Sequence, residues 1–177
     1  MPLKTKSGDT LSADLYDRLR ELKEAFDRAT AKPIETRPAD RVNYLVFELG
    51  REWFAWPVAN LAQIEIDRRI VALPGRQEDL YGVMNYKNKV LAVANLHHRL
   101  NLNSIDPDEI KIVLISKGLG VEAAIAVDRL VAIAPLSTSA MAPRPISLES
   151  ETAQLIAGEF HHRGQMVTVL NPAGFSG

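Results

Sequence analysis

Two different spacings of apolar residues divide the chain. Between residues 11 and 30, Leu15, Leu19, Leu22, Phe26 and Ala29 recur at steps of four and three, which predicts a helix with one apolar stripe. Ser12 is a candidate N-cap, and Asp14 with Arg18 and Glu24 with Arg28 are acid-before-base pairs on the solvent side. Residues 31–41 carry Pro33 and Pro38 among polar residues, so a linker is expected there, and residues 1–10 are expected to be flexible. From Val42 onward the apolar runs are short, β-rich and separated by glycine or asparagine. Strands are predicted at 42–49, 52–58, 79–86, 89–95, 110–116, 121–127, 130–136, 154–160 and 165–171. Short helices are expected at 58–63 and 95–102. The pattern is all-β with an N-terminal amphipathic helix, not a series of alternating βαβ units.

The β-rich part contains an echo of itself. Residues 80–96 and 155–172 each read apolar strand, polar turn, apolar strand and then asparagine. Gly82 precedes Asn95 by 13 positions, as Gly158 precedes Asn171. A further hairpin pattern stands ahead of each, at 45–58 and 112–127. Two related β barrels of about 60 to 70 residues follow, a size at which a module gains from packing on its twin.

Composition narrows the function. The 177 residues are 46% hydrophobic and 24% charged, an ordinary globular balance. The net charge of −1 offers no field for a phosphate backbone, and from residue 42 on 12 Lys or Arg face 14 Asp or Glu. A nucleic-acid-binding barrel is the alternative that this balance argues against. Cysteine is absent, which removes disulfides, thiolate metal sites and thiol nucleophiles. With neither a signal-like start nor an apolar run of about 20 residues, a cytoplasmic protein is expected, without direct membrane insertion.

Catalytic signatures are missing. Gly118, Gly120 and Ala123 match the letters of a dinucleotide fingerprint, but the following residues are strand-like and Asp128 comes too early to hold a ribose. A hairpin turn with positive-φ glycines is the simpler reading. The adjacent pairs His97–His98 and His161–His162 cannot chelate as units, because neighbouring side chains diverge, so surface or capping roles are expected. Glu48, Glu52, Asp106, Asp108 and Glu109 suit solvated strand ends and helix caps. Trp53, Phe54 and Trp56 crowd one strand, with Phe54 expected opposite both tryptophans. No enzyme, cofactor or metal is predicted.

From Asn43 to Phe175, about three quarters of the chain, the order of these pieces resembles the CheW-like domain, the adaptor of bacterial chemosensory arrays. YLVFELGREWFAWPVANLAQI is similar to the family's opening segment, and LYGVMNYKNKVLAVANL sits where it has the signature G-V-x-N-L-R-G-x-x-x-P-x-x-D-L. IAVDRLVAIAPL resembles its V-D-x-V strand, and LIAGEFHHRGQMVTVLNPAGF its closing hairpin. The resemblance implies two intertwined five-stranded SH3-like or OB-like barrels over residues 42–177, with the chain partly swapped between them. It implies a scaffold that couples the cytoplasmic tip of a methyl-accepting chemoreceptor to the regulatory domain of a CheA-type histidine kinase. It would be recruited to membrane-associated receptor arrays, or would serve a non-flagellar pathway. Carried over by position, Leu61 and Gln63 fall in the receptor-groove segment, and Gly82, Asn85 and Lys87 in the signature loop. Lys87 and Asn88 replace the signature arginine and glycine, and Ala92 and Asn95 its proline and aspartate. Lysine keeps the charge but loses the planar fork that grips a carboxylate.

Overall fold

The computed structural model describes residues 8–31, 40–75, 78–118, 122–143 and 151–175. Most of the expected linker, and residues 1–7, lie outside them. Helix α1 spans Gly8–Ala31, so it begins ahead of the expected start and Ser12 lies within it, not at its cap. Leu19 and Phe26 are buried, as the apolar stripe requires. The ion pair on its outer face is Lys23 with Asp27 at 3.6 Å; among the described residues, neither Asp14–Arg18 nor Glu24–Arg28 comes within ion-pair distance.

Among the described residues eleven strands follow: β1 Arg41–Leu49, β2 Glu52–Pro57, β3 Leu61–Ile66, β4 Leu80–Tyr86, β5 Lys89–Ala94, β6 Ile112–Ser116, β7 Ala124–Val127, β8 Arg129–Ser137, β9 Ala142–Pro143, β10 Ile156–His162 and β11 Gln165–Leu170. Two short helices, α2 (Leu96–Arg99) and α3 (Glu151–Gln154), stand among them. The expected helix at 58–63 is a correction. Val58–Asn60 forms one 3-10 turn, and Leu61 onward is β3, paired antiparallel with β6. The apolar Leu61 and Ile64 are both buried there, and pairing with β6 overrides a weak helical pattern.

The strands form a six-stranded sheet, β8-β1-β2-β11-β10-β9, and a five-stranded sheet, β3-β6-β7-β5-β4. The two orders match strand for strand. In each sheet the second strand of a hairpin (β2 or β7) pairs in parallel with the second strand of another hairpin (β11 or β5). The sixth strand, two residues long, has its counterpart in the isolated bridge between Val71 and Val83. This is the all-β fold of two intertwined SH3-like units, with one strand more than expected in the first.

The repeat has a steric origin. Gly82 and Gly158 sit at equivalent irregularities in β4 and β10. A Cβ would lie 2.3 Å from the Val71 carbonyl oxygen at the first, which also has φ +149°, and 2.5 Å from the Ala142 carbonyl oxygen at the second. Only glycine admits the crossing backbone. At each far end an asparagine closes the corner: the Asn95 backbone N–H donates to the Asp79 carbonyl and its side-chain Nδ2 to the Glu78 carbonyl, and Asn171 does the same to Leu155 and Gln154.

Burial explains why the central strands read as continuous apolar runs. On β1, Tyr44 and Val46 face the interior of their own unit, while Leu45, Phe47 and Leu49 face a core shared by the two units. On β6, Val113 and Ile115 face inward, and Ile112 and Leu114 join the shared core. Phe54 and Trp56 also enter the shared core, and Trp53 packs on the opposite side. The expectation that Phe54 opposes both tryptophans therefore fails, since residues 53 and 56 are an odd number of steps apart. Each large side chain removed from water at this seam contributes about 1.5 to 3 kcal/mol.

Candidate functional site

The five residues expected at the partner site divide by burial. Leu61 is fully buried in the shared core, so it shapes the seam from beneath and exposes no side-chain surface. Gly82 is buried and held by the crossing backbone at Val71. Gln63, Asn85 and Lys87 reach the surface of the five-stranded unit. Gln63 and Lys87 meet around one side chain: the Tyr86 hydroxyl donates to Gln63 Oε1 at 3.0 Å, and Lys87 Nζ lies 5.0 Å from the Tyr86 ring centre. This hydrogen bond joins β3 to β4, the two end strands of the sheet order, and draws the sheet toward closure.

Lys87 and Asn88 form the tip of the β4–β5 hairpin, with φ of 48° and 63°. Two successive left-handed residues are what a tight hairpin turn of the primed type needs; asparagine tolerates that conformation well, and lysine less so. The turn holds the ammonium out in solvent. Its affinity for the proton is raised, first by hydrogen bonding with Tyr86 and then by the charges of Tyr86, Glu122 and Glu65. Beside it, Lys89 pairs with Glu122 at 3.1 Å, and Val90, cross-strand from Asn85, is 71% exposed. The surface thus offers a cation, an amide and an apolar residue.

Sequence reasoning missed a polar junction behind this surface. The adjacent histidines do diverge, but His97 points into the core and is fully buried, a correction to its expected surface role. Its Nδ1 lies 2.9 Å from the Tyr81 hydroxyl, and its Nε2 3.0 and 3.1 Å from the two carboxylate oxygens of Asp128. Asp128 also accepts from the Gly50 amide at 2.6 Å, and the Tyr81 oxygen accepts from the Ile105 amide at 3.3 Å. A ring with its proton on Nε2 satisfies this order, donating to Asp128 and accepting from Tyr81. Tyr81 belongs to the five-stranded unit, Gly50 to the turn of the other, and Asp128 stands where β7 passes into β8. The junction therefore links the two units. No local pattern in the sequence set His97 apart from His98.

The remaining candidates are structural or exposed. His98 lies 2.9 Å from Glu78 and 2.9 Å from Asp79; the hydrogen bond to Asp79, then the nearby negative charges, raise its pKa above the ordinary 6.5. His161 is exposed, and the ring of half-buried His162 tilts against Trp53. Among the described residues no group of His, Cys, Asp or Glu is arranged to hold a metal ion. Gly118 has φ +93°, in keeping with a turn, while Gly120 lies outside the described residues. Asp106 caps a 3-10 turn through the Asp108 amide, and Glu48 pairs with Arg129. Asp40 accepts from the hydroxyls of Ser137, Thr138 and Ser139, the first contributing most, which holds its carboxyl at about 2.

A family model described as the CheW-like domain matches residues 43–176. No curated protein matches the chain. Among solved structures, the scaffolding protein TtCheW from Thermoanaerobacter tengcongensis is similar, with a TM-score of 0.65 and 20% identity over 73% of this chain and 88% of that one. At that identity the likeness speaks for the fold. No helix among the described residues is long and apolar enough to cross a membrane.

Proposed function

The chain belongs to the CheW-like domain family of chemotaxis scaffolds, and on that footing we propose that it couples a chemoreceptor to a CheA-type histidine kinase in the cytoplasm. The receptor presents a helical tip to the flank formed by β3 and the β4–β5 hairpin, and the kinase presents its own CheW-like regulatory domain to another face. The work is geometric. Holding two partners on linked units raises their effective concentration and lets one interface bias the other, with no bond made or broken. The observation that carries this reading is the family match across both units. The apolar seam and the few polar anchors around Tyr86 support it, because such interfaces draw affinity from apolar surface and partner choice from rim charge.

A pull-down with the regulatory domain of a CheA-type kinase is expected to recover the protein. No association at concentrations of tens of micromolar, corresponding to about −6 kcal/mol, removes kinase coupling. Lys87→Glu is expected to weaken receptor binding by roughly tenfold and kinase binding far less, in line with a rim charge reversal. Equal loss on both sides rejects the receptor site.

A further inference from the structure

Helix α1 lies outside the family-matched segment and is nevertheless part of the seam. Leu19 and Phe26 enter the core shared by the two units, and Leu22 packs at its edge. The helix touches β8 and the Val58–Asn60 turn. The turn is a place where the chain passes from one sheet to the other, since it joins β2 to β3, and β8 is the strand that follows another such passage, from β7. Nearer the start of α1, the Tyr16 hydroxyl donates to Asp67 at 3.3 Å, just beyond β3. Helix α1 therefore bridges both ends of the strand that carries Leu61 and Gln63.

The manner of attachment suits an exchangeable occupant. Among the described residues of α1 only Leu19 and Phe26 are buried, while Leu15 and Tyr16 of the same helix are 50% and 40% exposed. In proteins most of the stability of an amphipathic helix comes from packing of its apolar face, so docking on the seam is what sustains α1. Entry through residues 19, 22 and 26 follows the spacing by which an amphipathic helix lays its anchors in a groove. The seam thus takes a helix, and the helix it holds is one the chain supplies.

We propose that the seam is a helix-binding surface occupied in cis by α1, and that an amphipathic helix offered in trans displaces it. This deepens the adaptor reading and rests on it, in that the incoming helix belongs to the receptor tip. Helix α1 then sets the threshold at which a receptor engages, because binding requires its release.

The test uses the full chain in three forms: unaltered, with Leu19→Ala and Phe26→Ala, and with Tyr16→Cys and Asp67→Cys joined by a short bismaleimide. The absence of native cysteine makes that joining specific. The probe is a fluorescent synthetic peptide of residues 8–31, read by anisotropy. The alanine form is expected to bind it about tenfold more tightly than the unaltered chain, the factor imposed by a competitor that fills the seam nine times in ten. The joined form is expected to bind least. Equal binding by all three overturns the proposal. If the alanine form fails to fold, the cysteine pair decides: peptide binding lost on joining supports displacement, and binding unchanged on joining overturns it. A receptor tip fragment that competes with the peptide supports the proposal further. A fragment captured alike by every form overturns the role of α1 and leaves the adaptor reading standing. Peptide binding to the alanine form with no fragment captured by any form upholds the helix-binding seam and removes the receptor reading.

Discussion

The corner after β5 and the corner after β11 occupy equivalent places in the two units, and they are filled in opposite ways. Both begin with an asparagine whose amide holds the two residues before the paired strand. After Asn95 the chain turns a histidine inward, and Tyr81, His97 and Asp128 form a buried polar junction reaching the other unit. After Asn171 it forms a 3-10 turn, Pro172–Phe175, where the Phe175 ring centre lies 5.2 Å from that of Trp56 and the Arg99 guanidinium sits over the Phe175 ring at 5.3 Å. The backbone device is shared because its causes are steric and local. The filling differs because each corner serves a different neighbour: one ties the units together through hydrogen bonds, and the other lays an aromatic ring against the shared core.

The shared device breaks most severely at its glycines. Gly82→Ala is expected to cost about 3 kcal/mol or more, or to prevent folding, because it combines a backbone clash with a left-handed φ. Gly158→Ala is expected to cost less, since its backbone is not in that region and Met141, one of its close neighbours, has a flexible side chain. Denaturant melts of the two variants give the ranking; the reverse order would show that the units do not share one device.

The contrast in filling is tested by His97→Ala against Phe175→Ala. The first leaves Asp128 and Tyr81 short of a buried partner and is expected to cost about 2 to 4 kcal/mol. The second removes a half-buried ring at about 1 to 2 kcal/mol. Equal losses in thermal or denaturant unfolding would make the polar junction no more than packing.

The smallest effect belongs to exposed His98. Its pKa is raised in the folded state by Asp79 and Glu78, so its contribution is fully present below the ordinary value of 6.5 and is lost as pH rises through the higher folded value. The stability difference from His98→Gln is expected to shrink over that window, with the imidazole titration followed by NMR. A difference that grows with pH would contradict the assignment.

Much of the fold was legible because its causes lie close together in the chain. The spacing of Leu19, Leu22 and Phe26 marks α1, the apolar runs mark most strands, and the Gly82–Asn95 and Gly158–Asn171 echo marks the repeated corner. Strand β3 was misread because the residues after Val58 carry a helical pattern until β6 pairs with them. The site was less legible. Lys87 was placed at a hairpin tip, yet nothing local distinguished buried His97 from exposed His98, or assigned Leu61 to the core.

The amino-acid order alone determined α1, most of the strands, the turn residues and the duplicated corner, since periodicity and steric demand act over a few residues. Tertiary structure alone decided which hairpins join, through the parallel pairs β2–β11 and β5–β7, and so where the seam runs. It also decided that α1 covers that seam and that a histidine bridges it. Such contacts unite segments far apart in the chain, and their energy exists only once both surfaces have been built.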